Sequence, residues 1–264
     1  MNMSTRVAER PVLPRIVEAE MLDSLSPDDP AAERSRRDLV RVNRVMGASR
    51  ILAGAMRSAM AGRMPKARPL RVLEIGCGDG GLLLAAVAGL KGWPKADLTL
   101  LDRVPLVDFE TQRAFAARGW LARTVTADVV EWALAPTCWP RFDLVVANLF
   151  LHHFDADRLA ALLEAIAPRC NALVACEPRR VRLALAASHL VGAIGANAVT
   201  RKDAVLSVRA GFIDQEITAL WPGSGAGAAV AGDDTPAEWD CREYAAGLFS
   251  HVFIATRAGA NPAS

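Results

Sequence analysis

No CxxC pair occurs among the five cysteines, Cys77, Cys138, Cys170, Cys176 and Cys241. That excludes the common thiolate metal and redox motifs and predicts reduced thiols in a cytoplasmic protein. A large charge imbalance is also missing. The net charge is +2, too small for bulk nucleic-acid binding. The opening stretch MNMSTRVAERPVLPRIVEAE lacks the apolar core of a secretory signal. Long apolar runs are lacking too. The one charge-free stretch, LALAASHLVGAIGANAV from Leu183 to Val199, is short for a membrane span and contains His189, Asn197 and two glycines. It predicts a buried helix and no membrane span. No internal repeat is present. What is plentiful is apolar residues, 52% of 264. That suffices for the core of one α/β domain with an extension, or of two small domains.

Two regions differ in pattern. Residues 1–66 predict a helical extension. SPDDPAAE supplies Asp28 or Asp29 as a cap and Pro30 for a first turn, and Gly47 divides the helical pattern around Leu39, Val42, Val45 and Met46 in two. RMPKARP reads as a linker. Residues 67–264 alternate short apolar strands with helices: LRVLEIG, DLTLLDR, ARTVTAD, FDLVVANLFL and NALVACEP, with DADRLAALLEAIAPR as a helix capped by Asp155. Continuous apolar strands separated by helices argue for a parallel sheet covered on both faces. Thr200 and Asp203 predict a capping box, with Gly211 as the stop. FIDQEITAL and GLFSHVFIATR predict the last two strands, with PGSGAGAAVAGDDTPAE as the loop between them.

The sharpest motif is RVLEIGCGDGGLLLAAVAGL, Arg71 to Leu90. Gly76, Gly78 and Gly81 satisfy G-x-G-x-x-G, and Asp102 follows at a strand end, as in dinucleotide-binding folds. Two carboxylates speak against a pyrophosphate ligand. Asp79 sits inside the loop and Glu74 just before it, and both would repel a phosphate. A nucleoside cofactor with a cationic amino group is attracted instead.

VLEIGCGDG, LTLLD, TADVVEW and FDLVVANLFLHHF follow one another at fitting intervals. From about residue 70 to 258 the chain resembles the class I S-adenosylmethionine-dependent methyltransferases. The resemblance implies a doubly wound, Rossmann-like, seven-stranded and mostly parallel α/β sheet with an antiparallel last strand. It implies S-adenosyl-L-methionine as cofactor, held by Glu74, Gly76, Cys77, Gly78, Asp79, Asp102, Arg103, Asp128, Val129, Asn148 and Leu149. Asp102 would take the ribose hydroxyls and Asp128 the adenine amino group. Each residue also has a plainer reading: Asp102 as a helix cap, Asp128 as a turn acid, Glu74 as an arginine partner, Asn148 as a strand end.

The acceptor is narrowed by elimination. NLFL stands where adenine-methylating enzymes resemble one another in an Asp/Asn-Pro-Pro-aromatic tetrapeptide. There is no Pro-Cys pair for cytosine chemistry, no glutamate hairpin for arginine methylation, and no acidic cluster for magnesium. A small apolar acceptor, phenolic or of polyketide type, remains, within a group similar to the quinone-biosynthesis methyltransferases; O-methylation is favoured over C-methylation. Arg179 and Arg180 are candidates for a polar or anionic end of that acceptor. The N-terminal helices, about 35–62, are expected to form a lid. His152 is the candidate general base and His153 the second catalytic candidate, since a histidine near pKa 6.5 accepts protons at neutral pH. As neighbours in sequence they are not expected to share one pocket or a metal. The alternatives are an RNA-modifying methyltransferase, with a basic surface from ERSRRDLVRVNR and EPRRVR, or a catalytically silent cofactor-binding partner protein.

Overall fold

A computed structural model describes residues 12–135, 139–223 and 239–259. The strands are β1 (Leu70–Ile75), β2 (Ala96–Asp102), β3 (Trp120–Thr126), β4 (Leu144–Asn148), β5 (Ala172–Pro178), β6 (Trp239–Ala246) and β7 (Ser250–Arg257). They form one seven-stranded sheet in the order β3-β2-β1-β4-β5-β7-β6. Pairing is parallel from β3 to β5. β7 runs antiparallel to both β5 and β6. The expected mostly parallel, doubly wound sheet is therefore present.

The helices are α1 (Met21–Ser24), α2 (Pro30–Met46), α3 (Ala48–Met60), α4 (Gly81–Val87), α5 (Phe109–Ala116), α6 (Val129–Leu134), α7 (Ala156–Ile166), α8 (Arg182–Ser188), α9 (Ala198–Ala210) and α10 (Glu216–Leu220). Alternate strand residues divide the core. Val72, Leu98, Leu100, Val146 and Val174 pack on α3, α4 and Phe115 of α5. Leu73, Ile75, Leu101, Val145 and Leu173 pack on α6, α7 and Ile217 of α10. Period-2 alternation thus feeds two apolar layers, one on each side of the sheet.

Local signals behave as their chemistry dictates. Asp29 accepts the Ala31 N–H and Pro30 opens α2. Gly47, at φ 67°, ends α2 and begins α3. Asp155 caps α7 through the Arg158 N–H.

Four expectations need correction. FIDQEITAL is not a strand: after one isolated bridge from Phe212 to Arg179 it turns into α10. The strand beside β7 is β6, from Trp239. The loop assigned to residues 222–238 lies largely outside the described residues. Asn197, not Thr200 and Asp203, caps α9; Asp203 instead accepts the N–H groups of Met21 and Leu22 at 2.8 and 3.0 Å. The uncharged stretch from Leu183 is not one buried helix. It is α8, a 3-10 turn at Val191–Ile194 and the start of α9, with Leu183, Leu190 and Ile194 exposed. Finally, α3 is not a lid. Leu52, Met56 and Ala59 are fully buried, and the helix packs on β5, β7 and α4. No helix among the described residues is long and apolar enough to cross a membrane.

Candidate functional site

The carboxyl ends of β1, β2 and β4 open into a cavity of about 460 Å³, a size typical of small-molecule sites. Its floor is the glycine loop after β1, with Glu74, Gly76, Cys77, Gly78, Asp79 and Asp102. Asn148 and Leu149 border it from β4, and Arg103 from the turn after β2. Residues 22–50 close the outer side.

Gly76 has φ 65° and faces the Phe150 ring, into which any Cβ would run. Only glycine fits that position. Asp102 ends β2 and holds the loop from below. Its Oδ2 accepts the Gly78 N–H at 2.8 Å and its Oδ1 the Val104 N–H at 2.9 Å. The helix cap of α5 is Asp108, so Asp102 is free of that duty. Asp79 is exposed and accepts the Gly81 N–H at 2.9 Å.

Glu74 is the decisive residue. It is 3% exposed, and its Oε2 has no hydrogen-bond partner. No arginine or lysine among the described residues pairs with it, which removes the structural ion-pair reading. Burial, and then the neighbouring Asp79 and Asp102, hold its carboxyl well above the usual carboxylate range. A buried carboxyl group without a partner is costly. Here it stands on a cavity floor that a cationic ligand would complete. The same surroundings push the Cys77 thiol up, so it is an inert wall.

Two expected cofactor residues lie beyond the cavity lining. Asp128 caps α6, its Oδ1 accepting from Val130 and Glu131, and Val129 is buried beneath. A small neighbouring hollow is bounded by Asp102, Val104, Thr124 and Val125, without either of them.

Neither proposed acceptor arginine lines the cavity. Arg180 is 2% exposed and is used up internally, by the Gly211 carbonyl at 3.1 Å, the Leu13 carbonyl and Glu216. Arg179 bridges to Phe212 and donates its N–H to Phe249. The rim is instead supplied by Arg36, Arg44 and Arg50, with Leu39, Val40 and Asn43 between them. Sequence reasoning missed these because they lie on α2 and α3, before the motif-bearing region. On α2, Arg36 and Arg44 lie about two helical turns apart with Leu39, Val40 and Asn43 between them, and that one-face recurrence was the available signal.

The histidines are also elsewhere than expected. His152 and His153 share a 3-10 turn after β4. His152 is 3% exposed, and its Nδ1 lies 2.7 Å from Glu177 Oε2. Burial alone would lower its pKa; the neighbouring Glu177 and Glu20 carboxylates reverse this and lift it to about 9. Held by carboxylates and set away from the cavity, it is not placed as the general base. His153 points its Nδ1 at the Phe150 carbonyl, 3.0 Å away. Neither histidine lines the cavity, and neither do His189 and His251.

Residues 73–173 match the family described as a methyltransferase domain. The match covers less than half of the chain. Solved structures share its fold at low identity. An O-methyltransferase family protein from Burkholderia thailandensis is 15% identical, with a TM-score of 0.53, over 87% of this chain and 60% of that one. The magnesium protoporphyrin IX methyltransferase of Synechocystis, solved with S-adenosylhomocysteine, is 14% identical at TM-score 0.52, over 88% and 96%. Mitomycin 7-O-methyltransferase is 22% identical at TM-score 0.52, over 90% and 60%. The chain thus spans about three-fifths of the first and third of these and nearly all of the second. No curated protein matches it in sequence. The cavity described above lies at the carboxyl edge of the sheet, where ligands of doubly wound folds bind.

Proposed function

We propose that the protein transfers a methyl group from S-adenosylmethionine to an oxygen of a small, largely apolar acceptor with an anionic or phenolic end. The observation that carries this is the unpartnered, buried Glu74 carboxyl on the floor of the glycine loop, beside Asp79 and Asp102. An α-ammonium group fits it where a phosphate would not. The two lower lone-pair positions of Asp102 are taken by Gly78 and Val104; its remaining acceptor capacity suits a pair of ribose hydroxyls. The domain match and the neighbour solved with S-adenosylhomocysteine support the same reading.

When bound, the cofactor supplies an electrophilic methyl group. The residues of this chain supply position. Asn148 and Leu149 form the wall between floor and mouth, with Leu149 held at φ 51° by its N–H bond to the Cys176 carbonyl. Leu22, Leu25, Leu39 and Val40 offer an apolar berth, and Arg36, Arg44 and Arg50 offer charge at its edge. Orientation of two reactants in such a berth is worth roughly 7–11 kcal/mol. With no histidine in the cavity, the acceptor's own ionisation, favoured by the rim arginines, accounts for the proton.

Isothermal titration with S-adenosylhomocysteine tests the cofactor. Binding is expected, and Asp102→Ala should lose about 2–4 kcal/mol of it. A protein that ignores this ligand but binds a nicotinamide dinucleotide overturns the proposal. A labelled-methyl screen against phenols, quinols, aromatic carboxylates and transfer RNA then identifies the acceptor class; transfer to RNA alone refutes the small-molecule part.

A further inference from the structure

The two histidines after β4 form an arrangement that the methyl-transfer reading does not use. Each imidazole has its Nδ1 side engaged: His152 by Glu177 Oε2 at 2.7 Å, His153 by the Phe150 carbonyl at 3.0 Å. The Nε2 atoms are left as the working atoms of both rings. Both face one carboxylate, that of Glu20, at 3.4 and 3.6 Å. The three ligand atoms all lie within 4.8 Å of one another. The ring centroids are 4.3 Å apart, because a 3-10 turn, unlike a strand, lets adjacent residues share one side.

Two magnitudes decide what this space suits. A charge-assisted N–H to carboxylate bond is about 2.7–2.9 Å long, and both Nε2 to Glu20 separations are well beyond that. Metal–nitrogen and metal–oxygen distances of about 2.0–2.1 Å give a tetrahedron with edges of about 3.3–3.4 Å. The observed 3.4 Å from His152 Nε2 to Oε1 lies close to such an edge, and the 3.6 Å from His153 Nε2 to the other oxygen, Oε2, lets the carboxylate face an ion held between the two rings. The outer partners match as well. Metal-bound histidines hand their other N–H to a carboxylate or a backbone carbonyl, and metal-bound carboxylates are themselves hydrogen-bonded. Here Glu177 and Phe150 take the first role, and the Ser207 hydroxyl donates to Glu20 Oε1 in the second.

The geometry points to a zinc-type divalent cation site formed by Glu20, His152 and His153. Two imidazoles and one carboxylate favour zinc or a neighbouring transition metal over magnesium or calcium. Asp23, whose Oδ2 lies 3.9 Å from His153 Nε2, or a water takes the fourth position. His153 is 26% exposed and Asp23 half-exposed, which leaves a way in. Asp23 also lines the cavity. A bound ion would therefore clasp the cavity wall at residues 20–25 to the exit of β4, joining positions 132 residues apart in sequence. That distance hid the site from motif reading, which weighed the two histidines alone.

Cobalt(II) titration of the full chain, after dialysis against a chelator, tests this without reference to methyl transfer. One equivalent should bind and give the visible bands of tetrahedral cobalt, and zinc should displace it. His153→Gln, at a partly exposed position, and Glu20→Gln should each weaken binding by at least about 10–100-fold, with circular dichroism showing that both remain folded. If Glu20→Gln unfolds, His153→Gln and Asp23→Asn carry the comparison. Absence of stoichiometric binding, unchanged affinity in His153→Gln, or a thiolate-to-cobalt charge-transfer band, which would place the ion on cysteines, overturns the site.

Discussion

Glu74 is built for a partner that the chain does not itself provide. Its folded pKa is raised, by burial first and by Asp79 and Asp102 next. A raised pKa means that the ligand-free fold binds a proton that the unfolded chain releases earlier. The stability tied to it is present at low pH and lost as pH climbs through the folded value. Without ligand, the wild-type melting temperature should therefore fall, relative to Glu74→Gln, as pH rises above the ordinary carboxylate range. A cationic amino group at Glu74 should reverse this. Binding of S-adenosylhomocysteine should release a proton at pH values below the raised pKa, seen as a dependence of titration heat on the ionisation enthalpy of the buffer. Equal heats in all buffers, in wild type and in Glu74→Gln alike, would remove Glu74 from the ammonium site.

Among the elements, α2 and α3 divide the work that the sequence suggested for one lid. α3 is core: Leu52 and Met56 are fully buried against the sheet. Leu52→Ala or Met56→Ala should each cost about 2–5 kcal/mol, read by urea unfolding, and removal of residues 1–62 should abolish folding. An intact, cofactor-binding truncation would show instead that α3 is dispensable. α2 is fastened to α9 by a buried polar clamp, in which Asp38 accepts the Asn197 N–H at 2.6 Å and Ser35 meets Thr200 at 2.8 Å. Asp38→Ala leaves the Asn197 N–H without its acceptor and should cost about 1–3 kcal/mol, measured in the same way. The parallel strands, the glycine loop and the caps at Asp29 and Asp155 were legible because each depends on residues close in sequence. α10 was not. Its first N–H groups are held by Glu243, whose carboxylate accepts from Ile217 and Thr218 at 3.1 and 2.8 Å. A cap supplied from β6 leaves no mark in FIDQEITAL, where the spacing of apolar residues imitates a strand. β6 was hidden for the opposite reason: an edge strand with alternately exposed residues reads as polar loop. Glu177 repeats the lesson, holding the turn at Phe150 and Leu151 from β5.

Across the whole molecule, charge is sorted within one cavity although the net charge is only +2. Carboxylates occupy the floor and arginines the rim. Arg44→Gln and Arg50→Gln should therefore raise KM for an anionic acceptor more than they lower kcat, and the wild-type KM should climb with ionic strength, since exposed charges are screened over about 8–10 Å. A KM indifferent to both would place acceptor recognition on the apolar wall alone. The sheet order has a separate consequence, for the growing chain. β7 is the last strand among the described residues, yet it lies inside the sheet, between β5 and β6, and all but its final residue are buried. During synthesis, which proceeds from the N-terminus, β5 waits with an open edge while some seventy residues follow it. Ala172 meets its partner Thr256 only after that interval. An unpaired, mostly apolar edge is a template for the wrong neighbour. The hazard of aggregation in this protein is thus set on the ribosome, before the cavity exists, and ends when the final hairpin closes.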